Sequence, residues 1–98
     1  AQFYMAGAYE SGRGVPADPV AALRWYRAAA EQGDARAQNR LGDLLLRGSE
    51  PNLEEAYLWY SLAGNSERIA EVRKLLTRSQ IASADDRVRA FSATTLQR

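Results

Sequence analysis

Residues 22–42 read ALRWYRAAAEQGDARAQNRLG, which is a helix, a sharp stop and a second helix. Ala22, Trp25, Tyr26, Ala29 and Ala30 fall at i, i+3, i+4, i+7 and i+8 and so share one helical face. Their neighbours Leu23, Arg24, Arg27, Glu31 and Gln32 favour helix and are mostly polar. Gly33 has no Cβ and suits a left-handed C-cap, and Asp34 is placed to accept backbone N–H bonds at the start of the next helix. Beyond it Ala37, Leu41, Leu44 and Leu45 step i, i+4, i+7, i+8. The link is so short that the two amphipathic helices must fold back antiparallel and share one seam.

The pattern recurs on either side of this unit. Ala1-Gln2 matches Ala37-Gln38, Met5 matches Leu41, Ala6 matches Gly42 and Gly12 matches Gly48, all at an offset of 36 residues. Ala22 and Trp25-Tyr26 match Ala56 and Trp59-Tyr60 at an offset of 34, which places a two-residue deletion in the loop. Self-similarity at a period in the mid-thirties, built from two helices, is the signature of an α-solenoid, in which stacking buries the face that no single repeat buries alone.

These residues carry a family resemblance. The run A-Q-x-x-[LM]-[GA], then G-x-G-V-x-x-D, A-x-x-W-Y and A-A-E-Q-G resembles the Sel-one-like repeats (SLR), relatives of the tetratricopeptide repeats. The elements stand at Ala1-Gln2, Met5-Ala6, Gly12, Gly14-Val15, Asp18, Ala22, Trp25-Tyr26 and Ala29 to Gly33. A second copy stands at Ala37-Gln38, Leu41-Gly42, Gly48, Ala56 and Trp59-Tyr60, followed by Ser61-Leu62-Ala63, but it lacks the second loop glycine and the valine. The resemblance covers about two thirds of the chain and implies an all-α fold, an α/α superhelix of two hairpins plus two C-terminal capping helices. The expected division is repeat 1 over 1–33, repeat 2 over 34–65, capping helices over 66–92 and a disordered tail over 93–98.

Composition narrows the function. The chain has 98 residues, enough for one domain that buries roughly 60–65% of its unfolded surface. A net charge of +1 gives no electrostatic pull toward nucleic acid or an anionic membrane. Twelve arginines stand against one lysine, Lys74, and arginine suits bidentate carboxylate contacts. Without cysteine there is no disulfide. No apolar run reaches membrane-spanning length, and no signal peptide is visible. A chain that opens on Ala inside a repeat is expected to be cut from a longer protein.

In order along the chain, Gln2 to Ser11 reads as the first helix, with Gly7 inside it, ended by Gly12-Arg13-Gly14. Asp18 caps the second helix and Pro19 sits at its first position, where a missing N–H is harmless. The third helix runs from Ala35 to Arg47 and stops at Gly48. Asn52 caps the fourth, with Glu54 and Glu55 near the positive end of its dipole, and Gly64-Asn65 ends it. Ser66 and Glu67 begin a fifth, in which Ile69, Val72, Leu75 and Leu76 share a face. Thr77 caps a sixth carrying Ile81, Ala84, Val88 and Phe91 at helical spacing.

Catalytic chemistry is hard to place on these residues. With no His or Cys, the usual zinc ligands and nucleophile–base pairs are missing, so no catalytic, cofactor or metal residue is assigned. Gly12-x-Gly14 lacks the third glycine and the Lys-Ser/Thr of a phosphate loop and follows a helix, so it reads as a helix-ending turn. Asp85-Asp86 point about 100° apart on a helix beside Arg87 and Arg89, as on a solvated face. The two Trp-Tyr pairs recur at the repeat period and read as buried core.

One surface points to binding. On the third helix Asn39, Arg40, Asp43, Leu46 and Arg47 face away from the seam, and their equivalents on the first helix include Phe3, Tyr4, Gly7, Glu10 and Ser11. In tetratricopeptide-like solenoids the first helix of each pair lines the concave surface, so by analogy Tyr4, Glu10, Asn39, Arg40, Asp43, Leu46 and Arg47 line a groove. Aromatic and arginine groups together are the composition of recognition surfaces. Packing against a lost preceding repeat is the competing reading for Phe3 and Tyr4. The resemblance implies a non-enzymatic scaffold or adaptor of a bacterial or eukaryotic pathway, and the expectation favoured is part of a larger bacterial protein, periplasmic or associated with the cell envelope. The expected ligand is another protein's extended or helical segment, acidic and partly apolar. No nucleic acid and no cofactor are expected, and weak self-association through the N-terminal face is. A structural or localisation domain is the alternative, and a hydrolase or penicillin-binding activity is the other, against which the missing cysteine and nucleophile–base pair argue.

Overall fold

The computed structural model describes the backbone over 2–47 and 51–96, and side chains as far as 92. Six helices are formed: α1 (Gln2–Ser11), α2 (Pro19–Glu31), α3 (Ala35–Arg47), α4 (Leu53–Ala63), α5 (Ser66–Arg73) and α6 (Arg78–Leu96). Their ends follow from local chemistry. Gly12 and Gly14 take positive φ after α1, and the Asp18 N–H returns to the Tyr9 carbonyl at 2.9 Å, closing the loop onto the helix it left. The Asp18 carboxylate accepts the N–H groups of Val20 and Ala21, with Pro19 opening α2. Gly33, at φ +93°, stops α2 while its N–H and that of Asp34 go back to Ala30 and Ala29, and Asp34 then caps α3 through Arg36 and Ala37. Asn52 and Asn65 cap α4 and α5. Thr77 and Gln80 exchange side chain-to-backbone bonds at 3.1 and 2.9 Å, a reciprocal capping box at the start of α6.

Three expectations change. Leu75 does not share a face with Ile69 and Val72: α5 is eight residues long, the chain turns after Arg73, and Leu75 is 64% exposed while Leu76 alone packs inward. The stretch from Ala93 is not a structureless tail, because α6 stays helical to Leu96; no Gly or Pro follows Gly64 to stop it. Trp25 is half-buried rather than buried, since α4 is flanked in its layer by both α2 and α6 and α2 by α4. The stop expected at Gly48 and the last two residues lie outside the described ones.

The helices form two layers in a body 19 Å thick along its shortest axis, the thickness of two helices packed 8–10 Å apart. One layer is α1, α3 and α5, joined by Glu10–Arg40 and by Asn39–Asn65. The other is α2, α4 and α6, joined by the Arg27–Glu55 ion pair, by the Tyr57 hydroxyl on Asp85 at 2.8 Å, and by Trp59 edge-to-face with Phe91 at 5.6 Å. Each hairpin spans the layers. The core between them has two clusters, one around Ala6, Tyr26, Ala30, Leu41 and Trp59, the other around Ala56, Tyr57, Tyr60, Val72 and Ala84.

Alanine dominates where helices approach most closely, and one glycine goes further. A Cβ on Gly42 would stand 2.8 Å from Tyr60 Cε1 and Cζ, so only glycine lets the fully buried Tyr60 ring lie across α3. Gln38 is the buried polar residue of the core, 3% exposed. Its amide donates to the Ala30 carbonyl at 3.1 Å, joining the Gly33 N–H on that acceptor at the C-terminus of α2 and tying the second hairpin to the first. This accounts physically for the Gln of the Ala37-Gln38 pair in the second repeat.

Candidate functional site

The outer face of the α1–α3–α5 layer carries a linked set of charges, built from α3 outward. Arg40 makes a two-pronged contact with Glu10, its Nε 3.1 Å from Oε1 and its terminal nitrogen on Oε2, and its other terminal nitrogen stands 3.8 Å from Asp43. Glu10 Oε1 also accepts the Tyr26 hydroxyl at 2.7 Å. Asp43 accepts the Tyr60 hydroxyl and has the Arg68 Nε at 4.0 Å. The two repeat tyrosines thus each cross the layer boundary to an acid on the facing helix. Burial alone would raise the Glu10 carboxyl, but the hydrogen bonds from Arg40 and Tyr26 outweigh it and hold the group below the usual carboxylate range. Tyr26 and Tyr60 move upward, first by burial and then by the acid each phenol bonds.

This geometry redistributes the seven residues that sequence pattern placed on one groove. Glu10, Arg40, Asp43 and Arg47 do come together, while Asn39 accepts from Asn65 Nδ2 at 3.0 Å, at the cap of α5. Arg40, however, is not a free cation, because Glu10 takes both of its prongs. Arg47 is the exposed one, its side chain 64% accessible and only 3.9 Å from Glu10 at its edge. Leu46 does not stand beside it; it packs against the second core cluster. Tyr4 is 72% exposed at the end of α1 remote from Glu10, beside Phe3 at 6.0 Å between ring centres, with the Arg36 guanidinium 4.5 Å above the Phe3 ring. The apolar anchors read from Tyr4 and Leu46 are therefore absent from this part of the face.

The structure supplies another apolar surface that sequence reasoning missed. A cleft of about 470 Å³ opens where the end of α1, the start of α2 and the end of α3 meet, walled by Pro19, Val20, Ala22, Leu23 and Leu44 with Glu10 and Arg47 at its rim. Val20 is 63% exposed. The signal was available: Val20, directly after a Pro at a helix start, is a large apolar residue off the seam on which Ala22 and Tyr26 lie. Among the described residues no group of three or more acidic side chains is placed to hold a metal ion, and no helix is long and apolar enough to cross a membrane.

Comparison with known families finds the Sel1 repeat matched twice in succession, over residues 1–34 and 35–66. Both matches begin within a residue of α1 and α3 and run through α2 and α4 respectively, so the matched unit is the structural hairpin.

Proposed function

Because the chain belongs to the Sel1 repeat family, whose solenoids are non-catalytic scaffolds, it is a protein-interaction module, and we propose that it holds a segment of a partner protein across the outer face of α1, α3 and α5. The observation that carries this is the state of the charges there. Arg40, Glu10 and Asp43 satisfy one another and stiffen the surface, and Arg68 is held by Glu71 at 3.1 Å, while Arg47, 64% accessible and 3.9 Å from Glu10, is left with donors to offer. A rigid surface with a few unsatisfied donors binds at low ordering cost. The exposed Arg47 guanidinium favours a carboxylate on the bound segment. The internal neutralisation of Arg40 lowers the acidity the partner needs, from an acidic stretch to one or two acidic residues.

A photo-crosslinking side chain placed at Arg47 or Arg68, with Arg24 on the outside of α2 as the control position, tests this in cells of the native organism. The same partner should be captured from the first two positions and not from Arg24. Equal capture from all three would reject the face assignment, and no capture from any would favour a structural or localisation role. The same reading takes the module to be part of a larger bacterial protein in the periplasm or at the cell envelope, which cell fractionation with an antibody to the chain tests directly.

A further inference from the structure

We infer that the cleft at the α1–α2–α3 junction is an anchor pocket for one large apolar side chain of the bound segment, and that Arg47 at its rim takes a carboxylate one or two residues away. This rests on the binding reading above and gives its ligand a chemistry.

What the cleft lacks decides what it can take. Its wall of Pro19, Val20, Leu23 and Leu44 offers no buried hydrogen-bonding group, and its volume of about 470 Å³ lies within the range of small ligand sites. Such a wall gains by taking apolar surface and nothing by taking a polar chain. The amide groups at the start of α2 do not attract an anion, because Asp18 already occupies the Val20 and Ala21 N–H groups. Glu10 does not attract a cation either: one oxygen accepts from both Tyr26 and Arg40, and the other accepts from Arg40. Arg47 is left, with its exposed guanidinium touching Glu10 only at 3.9 Å. An incoming carboxylate finds a donor pair there without displacing any existing bond, and a lysine in the same place would meet uncompensated positive charge. The cleft of equal volume between α2, α4 and α6 differs. Its Arg27 is already on Glu55, which also accepts the Trp59 indole at 3.3 Å, and it is lined as well by Glu31 and Arg87, charges of opposite sign that single out neither an acidic nor a basic ligand.

The test is titration of the isotopically labelled whole chain, followed by amide NMR shifts, with three synthetic hexapeptides: Gly-Ser-Leu-Glu-Ser-Gly, the same peptide with Ser for Leu, and the same with Lys for Glu. The first should give saturable shifts at Val20, Leu23, Leu44 and Arg47 by about 5 mM, the weak range expected of so short a probe. Each altered peptide should bind at least about tenfold more weakly, the value of one charge-assisted hydrogen bond or one buried side chain. Val20→Asp and Arg47→Glu, both at exposed positions, should do the same, and Arg47→Glu should regain binding to the lysine peptide. Shifts confined to Asn39, Asp43 and Arg68 would overturn the anchor while leaving the face reading in place. Equal affinity for all three peptides, or no saturable shift, would overturn the anchor, and the crosslinking experiment would decide the face reading separately.

Discussion

Replacing Gly42 by alanine should destabilise the chain although alanine is the better helix former. The new Cβ would stand 2.8 Å from two carbons of the Tyr60 ring and 3.1 Å from a third, against an ordinary contact of about 3.5–4.0 Å. The ring cannot slide away cheaply, because Tyr60 is fully buried and its hydroxyl is held on Asp43. Either α3 lifts off α4, which costs about 1–3 kcal/mol as overpacking, or the ring turns and strands the phenol at about 1–3 kcal/mol. The gain in helix propensity returns about 1 kcal/mol. With either penalty near its upper end, the net loss is about 1–2 kcal/mol, roughly 5–15 °C of Tm in a chain of this length. Gly7 is the internal control: a Cβ there meets only the Tyr26 hydroxyl at 3.9 Å, so Gly7→Ala should stabilise by about 0.5–1 kcal/mol. Urea unfolding followed by circular dichroism at 222 nm measures both. A Gly42→Ala chain as stable as the parent, or a Gly7→Ala chain that loses stability, would refute the packing argument.

Further outcomes follow from the same contacts. Trp59→Ala should cost about 3–5 kcal/mol in chemical unfolding, and Trp25→Ala, at a half-buried site, distinctly less. Arg40→Glu should lower stability by about 1–2 kcal/mol by removing the partner of Glu10 and setting a third carboxylate beside two others, whereas the exposed Arg47→Glu should change it by under about 0.5 kcal/mol; thermal melts separate the two. Glu10 and Glu55 are held below the ordinary carboxylate value of 4.5, so the unfolded chain binds more protons in acid: their contribution is complete above pH 4.5 and disappears as pH falls through the folded values, a slope that Glu10→Gln should reduce. Tyr26 and Tyr60 are raised above 10, so theirs is complete below pH 10 and lost as pH rises further. Gln2 occupies in α1 the place of Gln38 in α3, and with Met5 and Tyr4 exposed beside it the N-terminal face should give weak, concentration-dependent association by sedimentation; a strict monomer at millimolar concentration would contradict it.

The parts of this structure that sequence revealed are the parts encoded within a few residues. Asp18-Pro19, Gly33-Asp34, Asn52 and Gly64 fix helix ends because a cap or a left-handed turn depends on its immediate neighbours, and each stands where its chemistry required. The repeat offset gave the hairpins. The surface chemistry was not legible in the same way, because the pairing of Arg40 with Glu10 depends on how α1 and α3 align across thirty residues of chain, and helical spacing within α3 cannot report that alignment. The same spacing put Leu46 beside Arg47 on the face, whereas the rotation of α3 between the two layers carries it into the second core cluster. The cleft escaped notice because its walls come from three helices and no stretch of sequence contains it.

Tyr26 meets its acid at Glu10 and Tyr60 meets its own at Asp43. In repeat numbering the two acids do not coincide: Gly7 stands at the position of Asp43, and Leu46 at that of Glu10. The hairpins therefore share a shape but are wired differently, and the second supplies the arginine that completes the first. Exchanging their order, or duplicating the first in place of the second, would keep each tyrosine with the acid of its own hairpin but leave Glu10 without its guanidinium. Such an array behaves as an ordered sentence whose words have fixed places, and lengthening it by simple duplication demands a matching opposite charge at each new junction.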